Sequence, residues 1–351
     1  MIHHTRHIVG RSVRTEGSEC LYFGGTSYLG MTADPGFLEI LQRNIEKYGS
    51  NHGASRWSNL RLNIYEEAEA RLAAWTGSEA ALTVSSGFLA GQFLAAFFDQ
   101  QGYRRFYTPG THAALIQTGK PPLEYEELAS QLNDSLRGSG KTGRAVLFTD
   151  SIDLSGKLYP DYPALRKLPL ERIVLVADDS HGMGLLGANG GGAYRALAGL
   201  GAKELLVCGS LGKALGLQGG MILGSKTRLA QLWDTSFFAG ASPAPPAYLA
   251  SLLDAAPLYA ERLKAVRAHV QLFEKECHCL GHFQRLQGYP VYGYNEPSLT
   301  ASLFSSGILL TDFHYPSSHA VPLPGRIVLS AHHTEQDILH LASLLNTYFN
   351  C

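Results

Sequence analysis

The chain has 351 residues, of which 45% are hydrophobic and 17% charged, and its formal net charge is −1. Near-balanced charge argues against a nucleic-acid partner, and neither an apolar run of about 18 residues nor a charged-apolar-small leader points to a membrane span or secretion. The length exceeds one small core, so a large domain with a smaller companion is expected, and the low charged share suits a compact α/β enzyme or an obligate oligomer.

The first strong periodicity lies at 62–76, where Leu62, Tyr65, Glu69 and Leu72 fall at near-helical spacing before a Thr76-Gly77 stop. Strand-like runs follow at Ala80–Val84, briefly at Phe106–Tyr107, and then at Ala145–Thr149, Ile173–Ala177, Leu205–Cys208 and Met221–Leu223. Several are apolar without alternation, as strands covered on both faces are, which predicts an α/β fold with a mostly parallel sheet. In such sheets the ligand lies beyond the carboxyl ends of the strands. Composition changes at Ser242-Pro243-Ala244-Pro245-Pro246, after which one long helix is predicted over 247–276. A smaller α+β section then ends in Arg326-Ile327-Val328-Leu329-Ser330. The last helix opens on Thr334-Glu335-Gln336-Asp337, a capping-box-like start, with Ile338, Leu341, Leu345 and Tyr348 as its apolar face. These shifts divide the chain into an N-terminal segment over 1–45 that packs with the small domain, a large domain over 46–240 and a small domain over 241–351.

Chemistry collects at the strand ends. Val84-Ser85-Ser86-Gly87-Phe88 runs a strand into a helix start, whose free N–H groups and dipole favour an anion such as phosphate; the same turn also serves as a plain helix cap. His112 follows the short strand at 106–107, where an imidazole could lie flat on an aromatic ring or simply be a satisfied histidine. Val174-Leu175-Val176-Ala177 ends in Asp178-Asp179-Ser180-His181-Gly182, and neighbouring strand-end side chains point to opposite faces, so only one aspartate can face a ligand. Asp178 is the preferred one; the bland reading of this stretch is a solvated turn. Leu205–Cys208 leads to Ser210-Leu211-Gly212-Lys213, which sets a hydroxyl for phosphate close to an amine. A lysine that can form a Schiff base, with a carboxylate to keep a pyridine nitrogen protonated and His181 for its phenolic oxygen, suits an enzyme that holds pyridoxal phosphate. Arg326 could clamp a substrate carboxylate bidentately, or be a surface arginine at a strand start.

The five cysteines, Cys20, Cys208, Cys277, Cys279 and Cys351, have no framework spacing and fit reduced thiols in the cytoplasm. Cys277-His278-Cys279 with His282 invites a zinc reading, but a second ligand pair at zinc spacing is missing, so no metal is expected.

Taken together these residues resemble the α-oxoamine synthase family of fold-type I pyridoxal-phosphate enzymes, which includes the 8-amino-7-oxononanoate synthases and the 2-amino-3-ketobutyrate CoA ligases. The resemblance runs from Tyr22 nearly to the end. It rests on Thr26-Ser27-Tyr28-Leu29-Gly30-Met31, on Tyr48 through Arg56, on Glu66-Glu67-Ala68-Glu69 and on His112-Ala113-Ala114. It continues through Asp178 to Gly182, the lysine loop from Ser210 to Gly220 and the ending from Arg326 to Thr334. It implies a large cofactor domain with a smaller C-terminal one, and a homodimer in which Ser242 reaches the partner's cofactor phosphate. It also implies a reaction in which an amino acid that has lost a proton or CO₂ attacks an acyl thioester, usually acyl-CoA, with biotin biosynthesis as one corresponding pathway. Thr26 then stands where the family carries an asparagine near the amino-acid carboxylate. Leu60-Arg61-Leu62 replaces Gly-Thr-His, Tyr65 replaces a histidine, and Asp153-Leu154-Ser155-Gly156 replaces Ser-Met-Asp-Gly.

Two other readings stand beside the acyltransferase. One is a different pyridoxal-phosphate activity on the same fold, an aldolase, transaminase or decarboxylase, from which release of free CoA would separate it. The other is a cofactor-holding dimer without catalysis. Against it stands the retention of Arg326 together with Lys213, Asp178 and His181.

Overall fold

The computed structural model describes residues 2–15, 17–116, 123–137, 144–312 and 325–351. In chain order its elements begin with β1 (Ser12–Arg14), β2 (Glu19–Phe23), α1 (Pro35–Tyr48), α2 (Ile64–Thr76), β3 (Ala80–Val84), α3 (Gly87–Gln100) and β4 (Arg104–Tyr107). They continue with α4 (Tyr125–Leu136), β5 (Ala145–Asp150), β6 (Val174–Asp178), α5 (Tyr194–Ala198), β7 (Glu204–Ser210), β8 (Gly220–Gly224), α6 (Lys226–Trp233) and α7 (Ser236–Gly240). The remainder are α8 (Pro246–Asp254), α9 (Ala256–Glu276), β9 (Gln284–Arg285), β10 (Val291–Tyr294), α10 (Pro297–Ser305), β11 (Ile308–Asp312), β12 (Gly325–Val328) and α11 (Glu335–Phe349). They fall into two compact units, Ile40–Ala256 and the combination of Met1–Glu39 with Pro257–Cys351.

The Ile40–Ala256 unit carries a sheet of six strands in the order β3-β8-β7-β6-β5-β4. Strands β4 to β7 are parallel, and β8 runs antiparallel to both β7 and β3. On one face Phe148, Val176, Cys208 and Ile222 join Phe93, Leu94, Phe97 and Phe98 of α3 in one buried cluster. Leu147, Leu175, Val207 and Leu223, at the alternate positions, are buried as well. Both faces are therefore covered, which is why these strands read as unbroken apolar runs. Burial of each such side chain stabilises by roughly 1.5–3 kcal/mol, so the strand ends stand on a rigid platform.

The other unit is built on a mixed sheet in the order β1-β2-β11-β12-β10-β9, with β2 and β11 parallel. Its last helix starts with a true capping box: Asp337 N–H donates to Thr334 Oγ1 at 3.2 Å and Thr334 N–H to Asp337 Oδ2 at 2.7 Å. Arg11 forks onto the same carboxylate with two bonds of 2.7 Å. Burial works against the Asp337 anion, yet the Arg11 and Thr334 bonds hold its pKa down at about 2. The helix predicted over 247–276 is two helices, α8 and α9. Pro257 has no N–H to offer the Leu253 carbonyl, and the ladder breaks at Ala255 (φ −86°, ψ 6°). No helix among the described residues is long and apolar enough to cross a membrane.

Candidate active site

Pairing register sets Asp150, Asp178 and Cys208 side by side at the carboxyl ends of β5, β6 and β7. Strand alternation puts Asp178 on the same face as Val176, towards α3, and turns the next residue the other way. Asp178 Oδ1 accepts the Ser180 N–H at 2.8 Å, which closes the turn after β6. Asp179 is 1% exposed and takes Ser151 Oγ–H at 2.6 Å and Ala193 N–H at 2.8 Å. A Cβ on Gly182 or Gly192 would collide with the Asp179 carboxylate, so the glycines of this stretch leave room for an inward acid. Burial pushes the Asp179 carboxyl up to about 7, against the pull of its Ser151 and Ala193 hydrogen bonds.

Lys213 sits in the turn after β7, and its Nζ lies 2.8 Å from Nε2 of His181. Where the lysine is an ammonium it can only donate, Nε2 accepts and the imidazole proton sits on Nδ1. Ser180 joins the two turns, because its hydroxyl oxygen accepts the Ser210 N–H at 2.8 Å, while Ser210 Oγ accepts the Gly212 N–H at 3.0 Å. Ser180 stands where the resembled family has alanine, and sequence reading assigned it no task.

Ser86 caps α3, its Oγ accepting the Leu89 N–H at 3.1 Å, so the signal that read as phosphate seat or cap is at least a cap. The N–H groups of Gly87 and Phe88 head the helix without an intrahelical acceptor, as first-turn amides do. Gly87 is pressed onto the lysine loop: a Cβ there would lie 2.5 Å from Ser210 N and 2.6 Å from Ser210 Cα. Gly220 is pressed likewise onto the Ser86 carbonyl. Helix head and Ser210 thus form one cradle of donors around a helix N-terminus, the arrangement an anion needs.

His112 is half-buried, and its Nδ1 accepts the Ala114 N–H at 3.1 Å. Desolvation depresses its pKa, opposed by Asp178 and aided by the Lys213 charge. Burial, with the Asp178 charge beside it, pushes the Asp150 carboxyl up, and Lys213 opposes them. Asp150 was missed in the sequence, although it follows its apolar run as Asp178 does.

Tyr65, in place of the family histidine, is buried, and its hydroxyl donates to the Ala244 carbonyl at 2.9 Å. Arg56 covers its ring at 4.1 Å and grips Glu69 with bonds of 2.8 and 3.1 Å. In Asp153-Leu154-Ser155-Gly156, Asp153 accepts the Ser155 hydroxyl and the Leu158 N–H, closing a turn. Ser242 is exposed in the segment before α8. Thr26 is exposed after β2, and Arg326 is exposed on β12 opposite Gly293 and Thr311; both belong to the other compact unit. The Cys277 and Cys279 sulfurs, both buried, lie 3.4 Å apart.

A lysine amine against an imidazole, a strand-end carboxylate and a helix-head cradle in one unit fit pyridoxal phosphate, so fold and site define a fold-type I enzyme of that cofactor. Residues 156–345 match the family described as aminotransferase class I and II. The chain is 30% identical over 352 residues to the 8-amino-7-oxononanoate synthase of Azoarcus sp., covering 94% of this chain and 88% of that protein. It is 29% identical over 360 residues to that of Halorhodospira halophila, covering 95% and 87%. The serine palmitoyltransferase of S. paucimobilis, solved with pyridoxal phosphate and myriocin bound, shares the fold at a TM-score of 0.82 and 17% identity, covering 99% of this chain and 92% of that one. The chain belongs to the pyridoxal-phosphate-dependent α-oxoamine synthase family, within the class I and II aminotransferases.

Proposed function

We propose that the chain condenses an amino acid with an acyl-CoA thioester to an α-oxoamine, in the manner of an 8-amino-7-oxononanoate synthase, as a cytoplasmic homodimer. The observation that carries this reading is Lys213 Nζ held 2.8 Å from His181 beside the Asp178 strand end. Bound pyridoxal phosphate supplies the electron sink that stabilises negative charge at the amino acid's Cα. Asp178 would hold the ring's N–H⁺, and His112 would lie against the ring face. Gly87 and Phe88 offer main-chain N–H groups to the phosphate, with the Ser86 and Ser210 hydroxyls beside them. Ser242 reaches the partner's phosphate. Lys213 Nζ would take and return the proton at Cα, and His181 would hold the phenolic oxygen. Arg326 and Thr26 would fix the substrate carboxylate and so orient the bond that breaks.

Purified holoenzyme is incubated with glycine, alanine or serine, with and without acyl-CoA, and free CoA thiol is measured. Thiol release that needs both substrates is expected; keto-acid formation without CoA release would instead mark a transaminase. Arg326→Lys loses the parallel fork, so amino-acid KM should rise about 10- to 150-fold with cofactor absorbance unchanged. Wild-type binding of amino-acid amides as tight as of the acids would remove the clamp.

A further inference from the structure

The last main-chain bond between β6 and β7 runs from the Asp179 N–H to the Cys208 carbonyl at 2.7 Å, where the parallel register ends. One step further, a parallel ladder would send the Ser210 N–H to the Asp179 carbonyl. That carbonyl is already used by the turn after β6, accepting the Gly182 and Met183 N–H groups at 3.1 and 2.9 Å. Nor does β8 take the Ser210 N–H. Leu211 N–H donates to the Gly219 carbonyl at 3.0 Å, and antiparallel pairs alternate, so at the Ser210–Gly220 pair the N–H groups point away from the partner strand. The Ser210 N–H therefore faces β6, and the acceptor it meets there is the Ser180 hydroxyl at 2.8 Å.

Ser180 is buried and is itself held, because its N–H donates to Asp178 Oδ1 at 2.8 Å. The two chains are in tight contact at this point: a Cβ on Gly209 would lie 3.1 Å from Ser180 N and 3.2 Å from the Asp179 main-chain carbon. His181 follows Ser180 directly, Lys213 comes three residues after Ser210, and their side chains meet at 2.8 Å. We propose that Ser180 is a positioning residue of the lysine turn: its hydroxyl carries the β6–β7 ladder one bond past the strand ends and so sets Lys213 Nζ against His181. The inference rests on the pyridoxal-phosphate reading of the site. An alanine at 180 would leave the Ser210 N–H without this acceptor, and the lysine turn would lose its tie to the turn that carries His181.

The test compares wild type, Ser180→Ala and Ser180→Cys as full-length holoenzymes, part of each stripped of cofactor and reloaded. Far-UV circular dichroism checks folding. Hydrogen exchange at the Ser210 amide, read by mass spectrometry on the stripped protein, reports the bond itself. The rate at which the visible band appears on adding pyridoxal phosphate reports how well Lys213 is placed. Ser180→Ala should exchange the Ser210 amide faster and regain the band roughly 3- to 10-fold more slowly, the scale of one neutral hydrogen bond. Cysteine is close to serine in size but its sulfur accepts only weakly, so Ser180→Cys should fall between. A serine that merely supported the fold would lower the melting temperature and leave the rate of band appearance alone. Band appearance as fast in both variants as in wild type would therefore overturn the positioning role, and unchanged exchange at Ser210 would overturn the bond beneath it. The cysteine protein decides both points if the alanine protein does not fold. A wild-type protein with no visible band dependent on Lys213 would overturn the cofactor reading and the role with it, an outcome that the exchange measurement, made without cofactor, keeps apart from loss of the bond.

Discussion

Asp178 and Asp179 are neighbours with different surroundings, and the difference follows from the period of two along a strand. Asp178 faces the α3 side with Asp150, whereas Asp179 is sealed among Ser151, Ala193, Gly182 and Gly192. Asp178→Ala should weaken cofactor binding and abolish turnover while changing the melting temperature little. Asp179→Ala should do the reverse, because it strands a buried hydroxyl and a buried N–H at about 1–3 kcal/mol each. Melting curves and cofactor absorbance of the two variants separate these outcomes, and equal losses of absorbance would refute the facing argument. The alternation was legible in the sequence. Asp150 was not singled out, because its meaning comes from lying beside Asp178, and strand pairing is not written along the chain.

At the scale of elements, the site depends on how closely the head of α3 approaches the turn after β7. Alanine is the better helix former by about 1 kcal/mol, so Gly87→Ala would stabilise an isolated helix. Here the added methyl would meet Ser210 main-chain atoms at 2.5 and 2.6 Å, which cannot swing away as a side chain would. Overpacking of this kind costs about 1–3 kcal/mol and outweighs the propensity gain, so Gly87→Ala should lower stability and loosen the cofactor phosphate. Gly240, at the end of α7, has nothing within 4 Å of an added Cβ and serves as the control. Urea unfolding of both variants, with cofactor retention, is the measurement; equal stabilities would refute the close approach. The Ser-Ser-Gly signal was visible beforehand as cap or phosphate seat, but the reason for its glycine lies in a loop more than a hundred residues downstream.

For the whole molecule, the response to acid involves buried or half-buried histidines, His332 and His333 in the family-like ending and His269 on α9. His333 Nδ1 accepts the Ser330 N–H at 3.0 Å while Nε2 faces the Tyr22 carbonyl at 3.1 Å, a pair of contacts that only the neutral ring satisfies. Burial lowers its pKa from 6.5 to about 4, and burial lowers those of His269 and His332 as well. With the folded pKa below the unfolded one, the unfolded chain binds the extra proton. Stability is therefore full above about pH 6.5 and falls as pH drops towards 4, by about 1.4 kcal/mol per unit for His333. His333→Gln can keep an acceptor and a donor, and it should flatten the dependence of the unfolding midpoint on pH across that window. Superimposable curves for variant and wild type would show that His333 does not carry it.

Sequence alone determined what is local. Unbroken apolar runs marked strands covered on both faces, Thr334 and Asp337 marked a capping box, and strand ends carrying Asp178, His181 and Lys213 marked the cofactor chemistry. Tertiary structure decided what depends on partners far along the chain. It paired β2 with β11, set Asp150 beside Asp178, turned Tyr65 and Arg56 into a buried brace, and gave His333 its neutral ring. The physical reason is the same throughout: hydrogen-bond and apolar periodicities are properties of a short segment, whereas desolvation and the neighbour that answers a charge exist only once distant segments have packed.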